Sequence, residues 1–435
     1  MTATPTGERF LVLDDDPTGV QALAGVTVLF DWDLASIRDA TAGRRAVHLI
    51  TNTRAFGPER VEQIVASAAR SARDARPDAC IVLRGDSTLR GHLREEYLGV
   101  RKVVAPGSWP LHVIVPALPA AGRLTIDGVH ILERDGVRMP LSETEYARDG
   151  VFSYHSARLL EWAEERSGGL FPASSGGELD RRTLRSGGAP LVRDRLLELA
   201  STGRPAVFAP DAATDGDLML IAAGYRQARA AGASLILRCA PALVGRLAGT
   251  TARGTAAIPS AGQGILVVCG SYVPQSTRQL ASLLRSYSSA LVEADVSALA
   301  GATADSETAR LAAAVDELLE RRGLAVLATP RKRPPGTIAL DVGERIAHGI
   351  AQTVARLAHR PALILAKGGI TSAITLREGV GASEAEVVGP VEPGVSRWLV
   401  SWPDGAPLDY LVVPGNVGDD ELLTRLVTAI RKGSG

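Results

Sequence analysis

Aromatic residues are scarce: Phe, Trp and Tyr make up 4% of the 435 residues. So few ring faces argue against a stacking platform for nucleobases. No charge sign dominates, because Lys plus Arg and Asp plus Glu both number 48. That balance argues against a general nucleic-acid or anionic-membrane surface and leaves room only for a local basic patch. There are three cysteines, Cys80, Cys239 and Cys269, far apart and without metal-type spacing. Each stands beside apolar residues, so they read as reduced core thiols of a cytoplasmic protein. No apolar run is long enough to span a bilayer, and MTATPTGER lacks the apolar core of a secretion signal. Neither the Walker pattern G-x-x-x-x-G-K-[ST] nor the dinucleotide fingerprint G-x-G-x-x-G occurs.

What is present is organised around Phe10-Leu11-Val12-Leu13-Asp14-Asp15-Asp16-Pro17-Thr18-Gly19. Four apolar residues run into three carboxylates and then a proline, which reads as a buried strand ending where the acids begin. Further apolar runs at Ala46–Ile50, Cys80–Leu83, His112–Val115, Ala206–Ala209 and Ser234–Leu237 alternate with helical stretches such as Pro58–Ala75. This is the βαβ rhythm of a mostly parallel sheet. Residues 123–190 break it and read as an insertion packed on the first domain. Residues 249–262 are small, polar and Pro/Gly-bearing, so a linker is expected there. A second α/β rhythm comes after it, from Gly264–Cys269 to a last helix carrying Leu422, Leu426 and Ile430. The expected fold is α/β with two domains, 1–248 and 263–435. Each is a mostly parallel sheet flanked by helices, and the active site is expected in the inter-domain cleft.

In the first domain four polar clusters each succeed an apolar run: Asp14–Thr18, Thr51–Arg54, Arg84–Gly91 and Pro116–Arg123. In a parallel sheet they reach one edge, where α/β folds bind ligands. Arg54, Arg84, Arg90 and Arg123 supply donors suited to carboxylate or phosphate. Asp15, Asp16 and Asp86 could accept hydroxyls, take up a proton or hold a metal. Residues Leu11–Thr18 also fit the D-x-D-x-T signature of haloacid-dehalogenase phosphohydrolases, with Asp14 as nucleophile and Asp16 as acid/base. That alternative leaves residues 263–435 without a role. In the second domain, Gly270-Ser271, Lys367-Gly368-Gly369-Ile370-Thr371-Ser372 and Gly415-Asn416-Val417-Gly418 precede helices. Such loops let backbone N–H groups approach an anion. Lys367 is expected to neutralise a phosphate. Asp419, Asp420 and Glu421 are expected in the first turn of the last helix, where they would repel one, leaving Gly415–Gly418 for the base, the ribose or a Mg²⁺.

Taken in order, these clusters resemble the four-carbon acid sugar kinase family. The matching elements are Asp15–Gly19, Thr51–Arg54, Asp86–Gly91 (D-S-T-L-R-G), Pro116–Arg123, Ser142–Asp149, Asp211–Thr214, Gly270-Ser271, Gly368–Thr371 and Pro414–Gly418. The chain departs from the common pattern at Asp14, Pro17, Arg84 and Ile370. The resemblance implies an acid-sugar-binding first domain, an ATP-binding second domain, and phosphorylation of a threonate, erythronate or 3-oxo-tetronate type acid with Mg²⁺ accompanying ATP. It assigns the proton acceptor to Asp86, or to Asp15 or Asp16. It assigns the substrate to Thr18, Thr53, Arg54, Arg84, Ser87, Arg90, Gly91 and Arg123. The nucleotide falls to Ser271, Lys367, Gly368, Gly369, Thr371, Gly394, Gly415, Asn416 and Gly418. Protein ligands of the metal are left open, as is oligomeric state, with a homodimer as the candidate. The partners expected are an acid sugar and ATP, with no nucleic acid and no membrane. A sensor that closes on such ligands without turnover is the non-enzymatic alternative.

Overall fold

The computed structural model describes residues 8–134, 136–252, 254–261, 264–331 and 340–433, with the side chains of Pro17, Thr18, Leu340 and Asp341 outside that description. The backbone forms two compact units. The first comprises residues up to Asp15 together with Asp31–Thr251, and the second Asp16–Phe30 together with Ala252 onward. The linker composition predicts one crossing between the domains, over residues 249–262. The structure adds the excursion of residues 16–30 into the second unit. The reason is a long-range pairing: the buried strand Val26–Leu29 pairs antiparallel with Glu384–Glu392.

In the first unit seven parallel strands run, edge to edge, Ala46–Ile50, Phe10–Asp14, Cys80–Arg84, Leu235–Cys239, Leu111–Val115, Val207–Pro210 and Gly177–Leu179. Their near-continuous Val, Ile and Leu content suits strands covered on both faces. The helix Pro58–Ala75 starts with proline at its first turn and buries Val61, Val65, Ala68, Ala69 and Ala72 at helical spacing. Asp217 and Thr214 cap the helix Asp215–Ala230 reciprocally. The expected insertion contains a separate antiparallel sheet of Arg123–Ile126, Val129–Arg134 and Val137–Pro140.

The second unit has five parallel strands in the order Leu291–Glu293, Leu324–Ala328, Ile265–Cys269, Leu363–Lys367, Pro407–Val413. Antiparallel strands Val395–Ser401, Glu384–Glu392 and Val26–Leu29 extend it. Leu280 and Leu283 of the helix Pro274–Ser286 and Leu422, Leu426 and Ile430 of the helix Leu422–Lys432 pack on this sheet in one apolar cluster. Gly323, at φ 66°, ends the helix Ala304–Arg322 in the left-handed conformation. Cys80, Cys239 and Cys269 are free and buried. Among the described residues no helix is long and apolar enough to cross a membrane.

Each sheet contains a point where chain progression reverses direction. In the first unit it lies between Phe10–Asp14 and Cys80–Arg84, whose onward connections lead to opposite sides. In the second it lies between Ile265–Cys269 and Leu363–Lys367. Such reversals leave a crevice at the carboxyl ends of the strands, where α/β sheets hold ligands.

Candidate active site

At the reversal in the first unit, apolar strands deliver Asp14, Asp15, Thr51–Arg54 and Arg84–Gly91 to one edge. Asp14 is fully buried. Its Oδ2 accepts from His48 Nδ1 at 2.9 Å and its Oδ1 from Arg84 Nε at 2.6 Å. Burial alone would raise its pKa, but the Arg84 charge and the His48 bond outweigh that and lower it. Arg84 also sets a terminal nitrogen 3.0 Å from Asp15 Oδ1, and Arg54 Nε lies 3.5 Å from Asp15 Oδ2. Neither Asp15 oxygen has a hydrogen bond of good geometry among the described residues. Burial pushes this carboxyl up to about 7, with Glu96 assisting and Arg84 and Arg54 opposing.

Asp86 is arranged differently. Thr88 N donates to its Oδ1 at 3.2 Å, Arg90 Nε donates to its Oδ2 at 2.7 Å, and Thr88 Oγ1 donates to the same oxygen. Arg54 Nη1 is 3.6 Å away. Burial is outweighed by Arg90, Arg54 and these bonds, so the carboxyl is held well below the usual range. Asp86 therefore organises two arginines and is a poor proton acceptor. Arg90 is further braced by Asp149 at 3.6 Å and by the Tyr146 ring, 5.5 Å from its guanidinium carbon. It remains 22% exposed, whereas Arg84 is 3% exposed. Arg54 and Arg90 thus keep part of their surface exposed, and Arg84 is an internal tie.

The Asp86–Gly91 loop is held from several sides. His130 Nε2 donates to Ser87 O at 2.9 Å, and Tyr154 OH donates to Thr88 O at 3.0 Å. Burial lowers the His130 pKa to about 4, so the ring is neutral and its Nδ1 accepts from Thr125 Oγ1 at 3.0 Å. Leu89 adopts φ 65°, a conformation costly for a branched side chain and sustained here by these ties. Gly85 and Gly91 admit Arg238: a Cβ at Gly85 would lie 2.2 Å from its guanidinium carbon, and one at Gly91 3.0 Å from Nη2. Arg238 in turn pairs with buried Glu96 at 3.1 Å, and Glu96 accepts from Thr53 at 2.9 Å. Thr53 is therefore engaged inside rather than presented outward. Arg123 donates to Ala121 O at 2.7 Å, bracing its own turn. Thr18 sits in the short helix Pro17–Val20, and its side chain lies outside the described residues.

The haloacid-dehalogenase alternative fails on this geometry. Its nucleophile would be Asp14, but both oxygens of that carboxylate are already committed, one to His48 and one to Arg84.

In the second unit the glycine loops converge. A Cβ at Gly368 would lie 3.1 Å from Ser271 Cβ, one at Gly415 3.0 Å from Ser271 Oγ, and one at Gly270 2.6 Å from Thr371 Oγ1. Gly394, at φ 79°, approaches the last loop: its Cβ would meet Val417 at 2.7 Å. Ser276 Oγ lies 3.0 Å from Ser271 Oγ and donates to Gly415 O at 3.1 Å, while Gln279 Nε2 donates to Val417 O and Asp419 O. The glycines let these loops pack this closely, and glycine-rich backbone at strand ends suits close approach of a polyphosphate. Asp16 belongs to this unit, and a Cβ at Gly369 would lie 2.1 Å from its Oδ2. Asn416 and Gly418 stand in the same loop, Gly418 at φ 82°. Asp419, Asp420 and Glu421 precede the last helix rather than forming its first turn, and they pair with Arg425, Arg278 and Arg285.

Lys367 departs from expectation. Its side chain is fully buried, and Nζ donates to Pro414 O at 2.6 Å. It ties the Pro414–Gly418 loop to the neighbouring strand instead of facing a phosphate. Burial lowers its pKa from 10.5 to about 8. Because the unfolded chain then binds the proton more tightly, Lys367 should contribute stability that increases as pH rises from about 8 to 10.5, by up to about 3 kcal/mol. Lys367→Met should lack this increment, as urea unfolding at pH 7.5 and 10 can measure. Sequence reasoning also missed Arg331, which donates to Ser271 O at 2.7 Å and to Thr329 O.

Among the described residues no group of three or more His, Cys, Asp or Glu side chains could hold a metal ion. Those residues thus offer no protein-built Mg²⁺ cage.

Residues 10–247 match a sugar-binding N-terminal domain, and residues 266–423 match a nucleotide-binding C-terminal domain. The chain is 29% identical to a D-erythronate kinase of Heliobacterium modesticaldum over 66% of its own length and 63% of that protein's. It is 28% identical to a D-threonate kinase of Salmonella typhimurium over 73% of its own length and 70% of that protein's. Crystal structures of a Salmonella typhimurium protein (TM-score 0.69, 18% identity) and a Haemophilus influenzae protein (TM-score 0.62, 17% identity) share the fold. These cover 98% and 97% of this chain and 99% and 100% of theirs.

Proposed function

We propose that this chain, which belongs to the four-carbon acid sugar kinase family, transfers a phosphoryl group from ATP to a hydroxyl of a threonate, erythronate or 3-oxo-tetronate type acid in carbohydrate catabolism. The observation that carries this reading is the edge of the first unit, where Arg54 lies between Asp15 and Asp86, Arg90 is held on Asp86, and burial raises the Asp15 carboxyl to about 7. Bidentate arginines suit a carboxylate, and a carboxyl poised near neutrality suits a proton acceptor. Arg54 and Arg90 would hold the acid's carboxylate. Asp86 would keep both guanidiniums aimed, and Asp15 would receive the proton of the attacking hydroxyl. On the second unit, the Gly270-Ser271, Gly368–Thr371 and Pro414–Gly418 backbone would seat the phosphates. Phosphoryl transfer asks mainly for such positioning and charge neutralisation. Mg²⁺ would arrive on the nucleotide, since that ion takes few protein ligands and keeps phosphate oxygens and waters.

The test is ADP release from Mg·ATP against a panel of threonates, erythronates and their 3-oxo forms. Acid-dependent ADP release is expected and would name the substrate. Binding of an acid and of ATP without ADP release would replace the kinase by a sensor.

A further inference from the structure

We propose that Asp14 and His48 are positioning residues for Asp15, acting through Arg84. The inference deepens the kinase reading and rests on it only for the role given to Asp15.

The four side chains form one buried chain of contacts. His48 stands on the strand Ala46–Ile50, where it pairs in register with Val12, two residues before Asp14 and so on the same face of the sheet. Its Nδ1 donates to Asp14 Oδ2 at 2.9 Å. Nothing among the described residues partners His48 Nε2, although the ring is fully buried. A buried ring nitrogen left unbonded is a cost. The bond that offsets it is the one to Asp14, and that bond orients the carboxylate. Asp14 then engages Arg84 from the side: Nε donates to Oδ1 at 2.6 Å, and the Nη2 group reaches the same oxygen. That same Nη2 is 3.0 Å from Asp15 Oδ1. Arg84 is thus shared between two carboxylates, with its side edge on Asp14 and Nη2 lying between Asp14 and Asp15.

The consequence concerns charge. A guanidinium facing Asp15 alone would offer two parallel bonds and hold it firmly ionised. Sharing with Asp14 leaves Asp15 the 3.0 Å approach of Nη2 without a well-aligned bond. The other charged groups facing Asp15 are Arg54 from the loop after Ala46–Ile50, Glu96 from the helix Leu93–Val104, and Arg238 from the strand Leu235–Cys239. Arg238 is engaged by Glu96 at 3.1 Å, and Arg54 is divided between Asp15 and Asp86. Each of these three arginines is therefore partly engaged by another carboxylate. Asp14, held in place by His48, takes the side edge of Arg84 and so controls how much of that guanidinium reaches Asp15.

The experiment is a pH titration of the Asp15 carboxyl carbon by NMR on aspartate-labelled protein, assigned by the signal lost in Asp15→Asn, in wild type, Asp14→Asn and Arg84→Lys. No substrate is needed, so the result is independent of whether the protein proves to be a kinase. Asp14→Asn frees Arg84 for Asp15 and should lower the Asp15 midpoint by one pH unit or more. Arg84→Lys leaves one compact ammonium, which the His48-oriented Asp14 retains, and should raise the midpoint. Opposite shifts support the proposal. A merely structural role would loosen the site in both variants, let water in, and lower both midpoints together; that result, or an unchanged midpoint in Asp14→Asn, overturns it. If Asp14→Asn does not fold, the direction in Arg84→Lys decides: a rise supports the proposal and a fall overturns it. In an active kinase the acidic limb of the kcat/KM profile should move with the same signs.

Discussion

Asp15→Asn is expected to lower kcat by about 10²–10⁴-fold while changing KM for the acid by no more than a few-fold. The side chain keeps its shape, so the substrate pocket is retained; what is lost is the ability to take up a proton. The pH profile gives a second reading. A base must be deprotonated to act, and burial places the Asp15 midpoint near 7. Wild-type kcat should therefore fall as pH drops through about 7, and the residual activity of Asp15→Asn should lack that limb. A loss in KM alone would return Asp15 to a structural role. Asp86→Asn is the matched comparison. Its carboxyl is saturated by Thr88 and Arg90, so its loss should weaken acid binding more than turnover.

Arg90 carries the second large effect. Its Nε is fixed on Asp86, its Nη1 approaches Asp149, and the Tyr146 ring lies beside it, yet part of the guanidinium stays exposed. Removing one member of a hydrogen-bonded charge pair costs about 2–5 kcal/mol. Arg90→Ala should thus raise KM for the acid by roughly 30-fold or more, with kcat affected less, and should leave KM for ATP nearly unchanged. Arg90→Lys should recover little, because an ammonium cannot hold Asp86 and offer a flat pair of donors at once. Initial-rate kinetics varying each substrate separately would check both. An equal rise in the two KM values would show a general loosening instead.

The grouping of the candidate site residues was legible because the sheets are mostly parallel. Apolar runs ending in Asp14, Ile50, Leu83 and Val115 had to present the polar residues after them at one edge, so the four clusters could be grouped from sequence alone. The same logic gathered Gly270, Gly368 and Gly415. Contacts made across the fold stayed hidden. His48 lies 34 residues from Asp14, and Arg84 lies 70 away. No local pattern joins them, although a histidine and an arginine inside apolar strands were a signal that something polar met them there. Arg238, set within Leu-Ile-Leu-Arg-Cys, carried the same signal. Lys367 misled because a lysine after a strand ordinarily reaches solvent, and the Pro414 carbonyl that turns it inward is 47 residues on. The contacts of Asp86 were hidden as well, because a sequence cannot show that Thr88 and Arg90 fold back onto it.

The short strand Val26–Leu29 bears on how the polypeptide is made. It leaves the ribosome early, but its partner Glu384–Glu392 emerges roughly 350 residues later. At about 5–20 residues per second, that is a delay of roughly 20–70 s. During it the first unit can acquire all seven strands of its parallel sheet, while residues 16–30 hang from it as an apolar tether awaiting their mate. A gene cut at the expected linker would separate the two for good. The carboxy-terminal fragment would then expose Glu384–Glu392 as a raw sheet edge, open to pairing with another chain.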